Sequence, residues 1–159
     1  MKALISYAAA AVLLFAGCFY SFTGGGLPGV KSVAIPMADY KGSEFQLREK
    51  ITNQIIDKFM QDGTLKVGNL NTADTILRCT ISKSPDRSTA INQNEVAQQF
   101  ELSINVSIKL EDRKTGKIIL TKSVNGKSTY SDLSARNTAM EEAIEMVTDN
   151  VLEEIISAW

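Results

Sequence analysis

Between Phe100 and Leu110 the chain alternates with a period of two. Phe100, Leu102, Ile104, Val106, Ile108 and Leu110 fall on one side, and Glu101, Ser103, Asn105, Ser107 and Lys109 on the other. Successive side chains of a strand point to opposite faces, so this run makes one apolar and one wet surface. Such a strand belongs in an antiparallel sheet that packs a core on one face and meets a polar environment on the other. The rest of the chain must supply its neighbours in the sheet and a layer to cover its apolar side.

The neighbours are readable. Asp112-Arg113-Lys114-Thr115-Gly116 is a hairpin turn, and Lys117 to about Tyr130 returns as the next strand. Upstream, about Asp74 to Ser82 sets Leu77, Cys79 and Ile81 against Ile76, Arg78, Thr80 and Ser82. Cys79 lies on the apolar side, as a buried, unreactive thiol would. A long polar loop begins at Ser84-Pro85-Asp86-Arg87-Ser88-Thr89. A short first strand lies within Val30 to Met37, with Val33 and Ile35 on one face and an end near Pro36. The Leu65-Lys66-Val67 segment leads from the first helix through an Asn-rich turn.

Two helical stripes supply the cover. Ser43 opens the first helix, with Gln46 completing a capping box. Leu47, Ile51, Ile55 and Phe59, helped by Ile56, then recur at helical spacing up to the stop at Gly63. The second helix starts near Asn137 and lines up Met140, Ile144, Val147, Val151, Ile155 and Ala158. The order β-α-β-β-β-α predicts an α+β two-layer sandwich, with both helices on one face of a four-stranded mixed sheet. A right-handed crossover through the first helix makes the first two strands parallel, and the remaining pairs are antiparallel.

The composition narrows the chemistry. The 159 residues contain no histidine, which removes Ser-His-Asp and Cys-His nucleophile sets and every His-containing metal site. With 17 basic and 18 acidic side chains there is no global positive field to hold nucleic acid. Two cysteines cannot form a disulfide framework, and no nucleotide, heme, zinc or calcium motif is present, so no cofactor and no metal are expected. Glu141-Glu142 and Glu153-Glu154 are adjacent pairs that diverge around a helix and cannot converge on one bond. No catalytic set emerges, and the expectation is a protein that is not an enzyme.

The N-terminus reads as an address. Met1-Lys2 precedes an uncharged apolar run from Ala3 to Ala16, closed by Phe15-Ala16-Gly17-Cys18. That run has the length of a signal-peptide core. Small residues before Cys18 suit a signal peptidase, and the thiol suits lipid attachment, as in the bacterial lipobox; Phe15 stands where that motif usually has leucine. The division expected is a signal peptide over 1–17, a lipidated Gly/Pro-rich tether over 18–29 and one α/β domain over 30–159. A retained membrane anchor is the alternative, since Phe19-Tyr20-Ser21-Phe22 prolong the uncharged run. Lys83, Arg87, Lys127, Arg136 and Lys41 all map to one end of the expected sheet, where cations could meet phosphates.

Several segments together carry a resemblance. Cys18 to Gly24, Leu27-Pro28-Gly29-Val30-Lys31-Ser32-Val33-Ala34-Ile35-Pro36, Leu110 to Lys117, and Gly126-Lys127-Ser128-Thr129-Tyr130 are similar to the LptE-like lipopolysaccharide-assembly lipoproteins. The similarity runs from Cys18 to Trp159. It implies a non-enzymatic outer-membrane lipoprotein that sits in the lumen of an LptD-type β-barrel as a plug and assists lipopolysaccharide delivery. Its membrane attachment would come from acyl chains such as palmitate on Cys18. Lys83, Arg87 and Lys127 are the candidate lipopolysaccharide contacts, read from the residues rather than from a family motif. The alternative function is an envelope lipoprotein that scaffolds another periplasmic complex or binds a small ligand.

Overall fold

The computed structural model describes residues 29–42, 44–83, 85–91 and 97–158. The expected signal peptide, Cys18 and most of the tether lie outside the described residues, as does Ser43 of the expected capping box. The strands are β1 (Ser32–Ala34), β2 (Asp39–Tyr40), β3 (Lys66–Gly68), β4 (Thr75–Lys83), β5 (Arg87–Ile91), β6 (Ala97–Asp112) and β7 (Ile118–Tyr130). Helix α1 (Phe45–Asp62) follows β2, and α2 (Arg136–Ile156) follows β7.

The class is α+β with a mixed sheet, but the sheet has seven strands rather than the expected four. Strand β6 organises it. One edge of β6 pairs antiparallel with β7 over almost the whole of both strands. The other edge pairs antiparallel with β4 along its second half and with β5 along its first. Strands β1 and β2 share the far edge of β4, both parallel to it, and β3 lies parallel to β1 on the outside.

The three additional strands have simple origins. Strand β5 runs through the expected polar loop, because the first half of β6 would otherwise leave its backbone donors and acceptors unpaired on that side. Strands β2 and β3 have two and three residues, too short for a periodic signal. The parallel pairing of β1 with β4 and the antiparallel pairing of the later strands follow the expected topology.

Burial follows the alternation. Leu102, Ile104, Val106, Ile108 and Leu110 of β6 are buried with Leu77, Cys79 and Ile81 of β4, while their alternates are half-buried or exposed. Leu47, Ile51, Ile55 and Phe59 of α1 close the same core. So do Ala139, Ala143, Ile144, Val147, Val151 and Ile155 of α2. Full burial of each large aliphatic side chain contributes roughly 1.5–3 kcal/mol. Two expected members differ: α2 ends at Ile156, so Ala158 is exposed, and Met140 is only partly buried.

Local chemistry ends the elements. The α1 N-cap is Glu44, and Gly63 stops the helix in the left-handed region (φ 72°), its N–H donating to the Phe59 carbonyl. At the β6–β7 turn, Asp112 Oδ1 accepts from the Thr115 N–H (2.7 Å) and hydroxyl (2.8 Å). Gly126 of β7 serves a different need, a close approach between layers. A Cβ there would run into the Ala143 carbonyl and lie 2.8 Å from Val147 Cβ, so only glycine lets α2 settle against the sheet.

Candidate functional site

The β4–β5 junction, the start of β6, the end of β7 and the start of both helices gather at one end of the sheet. The hairpin tip and the start of β1 lie at the other end, where the Asp74 carbonyl accepts from the Arg113 N–H and the Asp74 carboxylate from the Lys31 N–H and Ser32 hydroxyl. The expected cation-bearing end therefore exists. Its cations, however, divide between the two faces of the sheet.

Lys83 keeps the parity of Leu77, Cys79 and Ile81 and so turns toward the helices. Its ammonium lies 3.0 Å from Glu44 and 3.7 Å from Asp86. Asp86 is the centre of this group. Its Oδ2 accepts from Arg136 Nε and from the Tyr130 hydroxyl, both at 2.8 Å. The Tyr130 ring stacks on Phe100 with centroids 5.3 Å apart. Burial alone would raise the Asp86 pKa. Hydrogen bonds from Arg136 and Tyr130, with the charges of Arg136 and Lys83, outweigh it and hold the carboxyl below its ordinary 3.8. Arg136 is raised in turn, chiefly by its hydrogen bond to Asp86. This cluster ties β4, β7, α1 and α2 together at one point.

Arg87 and Lys127 take the opposite, uncovered face. In register, Arg87 lies across from Glu101 and Lys127 across from Ser103. The structure brings these two together in a hollow of about 150 Å³, lined also by Pro85, Glu101, Ser103, Asn105 and Asn125. Lys127 Nζ lies 3.5 Å from Glu101. Asn125 Nδ2 donates to Ser103 Oγ and to Asn105 Oδ1, both at 2.8 Å. Arg87 is exposed and makes no ion pair among the described residues.

Of the three candidate contacts, Arg87 and Lys127 thus share a site and Lys83 stands behind the sheet. Sequence reasoning placed neither Asp86 nor Asn125 in a role. The parity of Lys83 with Ile81 was a usable signal for its direction, whereas the Asp86–Arg136 contact spans 50 residues and has no local signature. The Cys79 thiol is buried and its pKa is pushed up to about 12 by loss of hydration, consistent with an inert core thiol. Among the described residues no helix is long and apolar enough to cross a membrane, and no cluster of acidic or thiol side chains could hold a metal ion.

Comparison with solved structures finds the same fold in two bacterial lipoproteins and in a further bacterial protein. A minor lipoprotein from Acinetobacter baumannii is 17% identical, with TM-score 0.53 over 80% of this chain and 93% of its own. The rare lipoprotein B from Shewanella oneidensis is 13% identical, with TM-score 0.53 over 78% and 94%. A protein from Xanthomonas campestris is 11% identical, with TM-score 0.57 over 79% and 86%. At these identities the likeness is one of fold. No curated protein matches the sequence. The model of the LptE family, described as lipopolysaccharide-assembly, matches residues 30–155, from two residues before β1 into the last turn of α2. The match spans both helices and every strand that pairs with β6, and the chain belongs to the LptE lipopolysaccharide-assembly family.

Proposed function

We propose that this protein is a lipoprotein of the outer membrane, held there by acyl chains on Cys18, that partners and plugs an LptD-type β-barrel and assists lipopolysaccharide transport. Membership of the lipopolysaccharide-assembly family supports the pathway. The observation that carries the plug reading is the uncovered sheet face. Its β6 side chains Glu101, Ser103, Asn105 and Lys109 stay half-buried and Ser107 exposed, while the other face is sealed by two helices. A polar face of this kind suits a water-lined barrel lumen, whose interior is also polar. The role asks for shape and hydrogen-bonding surface rather than acid–base catalysis.

In this reading Arg87 and Lys127 meet lipopolysaccharide phosphates through charge-assisted hydrogen bonds. Lys83, its ammonium already held by Glu44 and Asp86, would have to exchange those carboxylates for a phosphate to join them. Attachment rests on two or more acyl chains, since one holds a protein only reversibly.

Affinity purification of the full-length protein after mild-detergent extraction tests the proposal. Recovery of an LptD-type barrel, together with barrel misassembly when the protein is depleted, is the expected result. Recovery of peptidoglycan enzymes or secretion components instead would replace it with the scaffolding role. Cys18→Ala should abolish incorporation of labelled fatty acid and release the protein from membranes.

A further inference from the structure

The long free edge of the sheet belongs to β7. Native edges are usually short, bulged or covered, because their unpaired backbone groups are a template for another chain. Strand β7 has 13 residues, and only β6 pairs with it. Two contacts show which of its backbone groups point outward. The Asn125 carbonyl accepts from Asn150 Nδ2 at 2.9 Å, and the Lys127 N–H donates to Met146 Sδ at 3.5 Å. Both partners lie on α2, so from Leu120 onward the odd-numbered residues turn away from β6 and the even-numbered ones complete its ladder.

At Asn125 and Lys127, side chains of α2 thus stand in for a neighbouring strand. Nearer the hairpin nothing does. Alternation turns the N–H and C=O groups of Thr121 and Ser123 outward as well, and among the described residues no group bonds to them. Thr121, Lys122 and Ser123 are exposed in succession, so this stretch is open on both faces and along its edge.

Charge selects the occupant. From Lys117 to Tyr130 the chain carries Lys117, Lys122 and Lys127 and no carboxylate. Lys122 and Lys127 approach Glu154 and Glu101 only to 3.6 and 3.5 Å, and Lys117 has no ion pair among the described residues. Lys122 shares the parity of the buried Val124, whereas Lys127 lies on the uncovered face, so cations flank the edge on both sides. Like charges directly opposite each other destabilise a strand pair, and opposite charges stabilise it. The lysines that guard the edge against a second copy therefore admit a strand bearing carboxylates.

We propose that the β7 edge at Thr121–Ser123 is a strand-addition site for an extended acidic segment of a partner protein. Backbone hydrogen bonds to Thr121 and Ser123 hold the added strand, and its carboxylates lie beside Lys122 and Lys127. The site is separate from the polar hollow and does not rest on the proposed function.

The experiment follows amide hydrogen exchange by NMR in the full-length, isotope-labelled protein in detergent micelles. The probe is the end-capped peptide Thr-Glu-Val-Thr-Val-Thr-Glu-Thr, whose glutamates are spaced like Lys122 and Lys127. At saturation it should slow exchange of the Thr121 and Ser123 amides at least tenfold, leaving the already paired Lys122 and Val124 amides unchanged. The same peptide with lysine for glutamate should bind at least tenfold more weakly. So should one N-methylated along its whole length, which keeps the charges and loses every backbone donor. Ser123→Pro removes an outward N–H without touching the β6 ladder and should weaken binding at least tenfold. Lys122→Glu, at an exposed position, should weaken binding of the acidic peptide at least threefold and strengthen that of the lysine peptide. Equal binding of the lysine or N-methylated peptide would overturn the proposal, as would exchange at Thr121 and Ser123 that the acidic peptide leaves unchanged. Slow exchange at both residues without peptide, lost on dilution, would make a second copy the occupant and overturn it too.

Discussion

Asp86 and Arg87 are consecutive residues that face opposite sides of the same sheet, and their surroundings differ accordingly. Asp86 lies toward the helices, where Arg136, Tyr130 and Lys83 converge on it in a partly dehydrated space. Charges there interact strongly and hold elements together. Arg87 lies in an open hollow beside a loosely engaged Lys127, where solvent screens charges and ion pairs add little to stability. Cations gathered at one end of a sheet are therefore not one cluster. The face decides whether a charge secures the fold or stays available for a ligand.

The sharpest way to test that division is at two positions of opposite parity on β6. Ile104→Ala on the covered face should cost about 2–5 kcal/mol in urea denaturation, from lost burial and the cavity left behind. Ser107→Ala on the uncovered face should stay within about 0.5 kcal/mol. Comparable losses at the two positions would erase the distinction. Gly126→Ala tests the layer contact itself: its Cβ would meet Ala143 and Val147, so α2 must shift, at about 1–3 kcal/mol.

A smaller effect belongs to Asp86. Its carboxyl titrates below the ordinary 3.8 in the folded protein, so its contribution is fully present above that pH. The contribution is lost as pH falls through the lower folded value. Asp74, Glu111, Asp112 and Asp132 are lowered too, so acid destabilisation is shared among them. Asp86→Asn should make the fall in stability below pH 4 shallower; an unchanged slope would show that the cluster does not couple to folding.

The sequence was most informative where burial imposes a period. Strands β4 and β6 and the stripes of both helices were legible because one face of each is sealed, and a slip of one residue would expose the whole set. Strand β5 carries no such signal, because Arg87, Ser88 and Thr89 are all exposed and its register to β6 is irregular, leaving no apolar rhythm. The cation-rich end was also legible from strand directions, and the parity of Lys83 with Ile81 was a usable signal for its face. The group around Asp86 was not. Its partners Tyr130 and Arg136 lie 44 and 50 residues away, and only the closing of α2 over β7 brings them in.

The central claim is that the uncovered face meets lipopolysaccharide while the covered one holds the fold. The direct test is lipopolysaccharide binding by purified full-length protein, measured beside the denaturation midpoint for the Arg87→Ala/Lys127→Ala double variant and for Lys83→Ala. The account predicts at least tenfold weaker binding with an unchanged midpoint for the double variant. For Lys83→Ala it predicts near-normal binding with stability lowered by about 1–3 kcal/mol, as expected when a partly buried charged hydrogen bond is removed. Unchanged binding in the double variant, or loss of binding in Lys83→Ala alone, would contradict it.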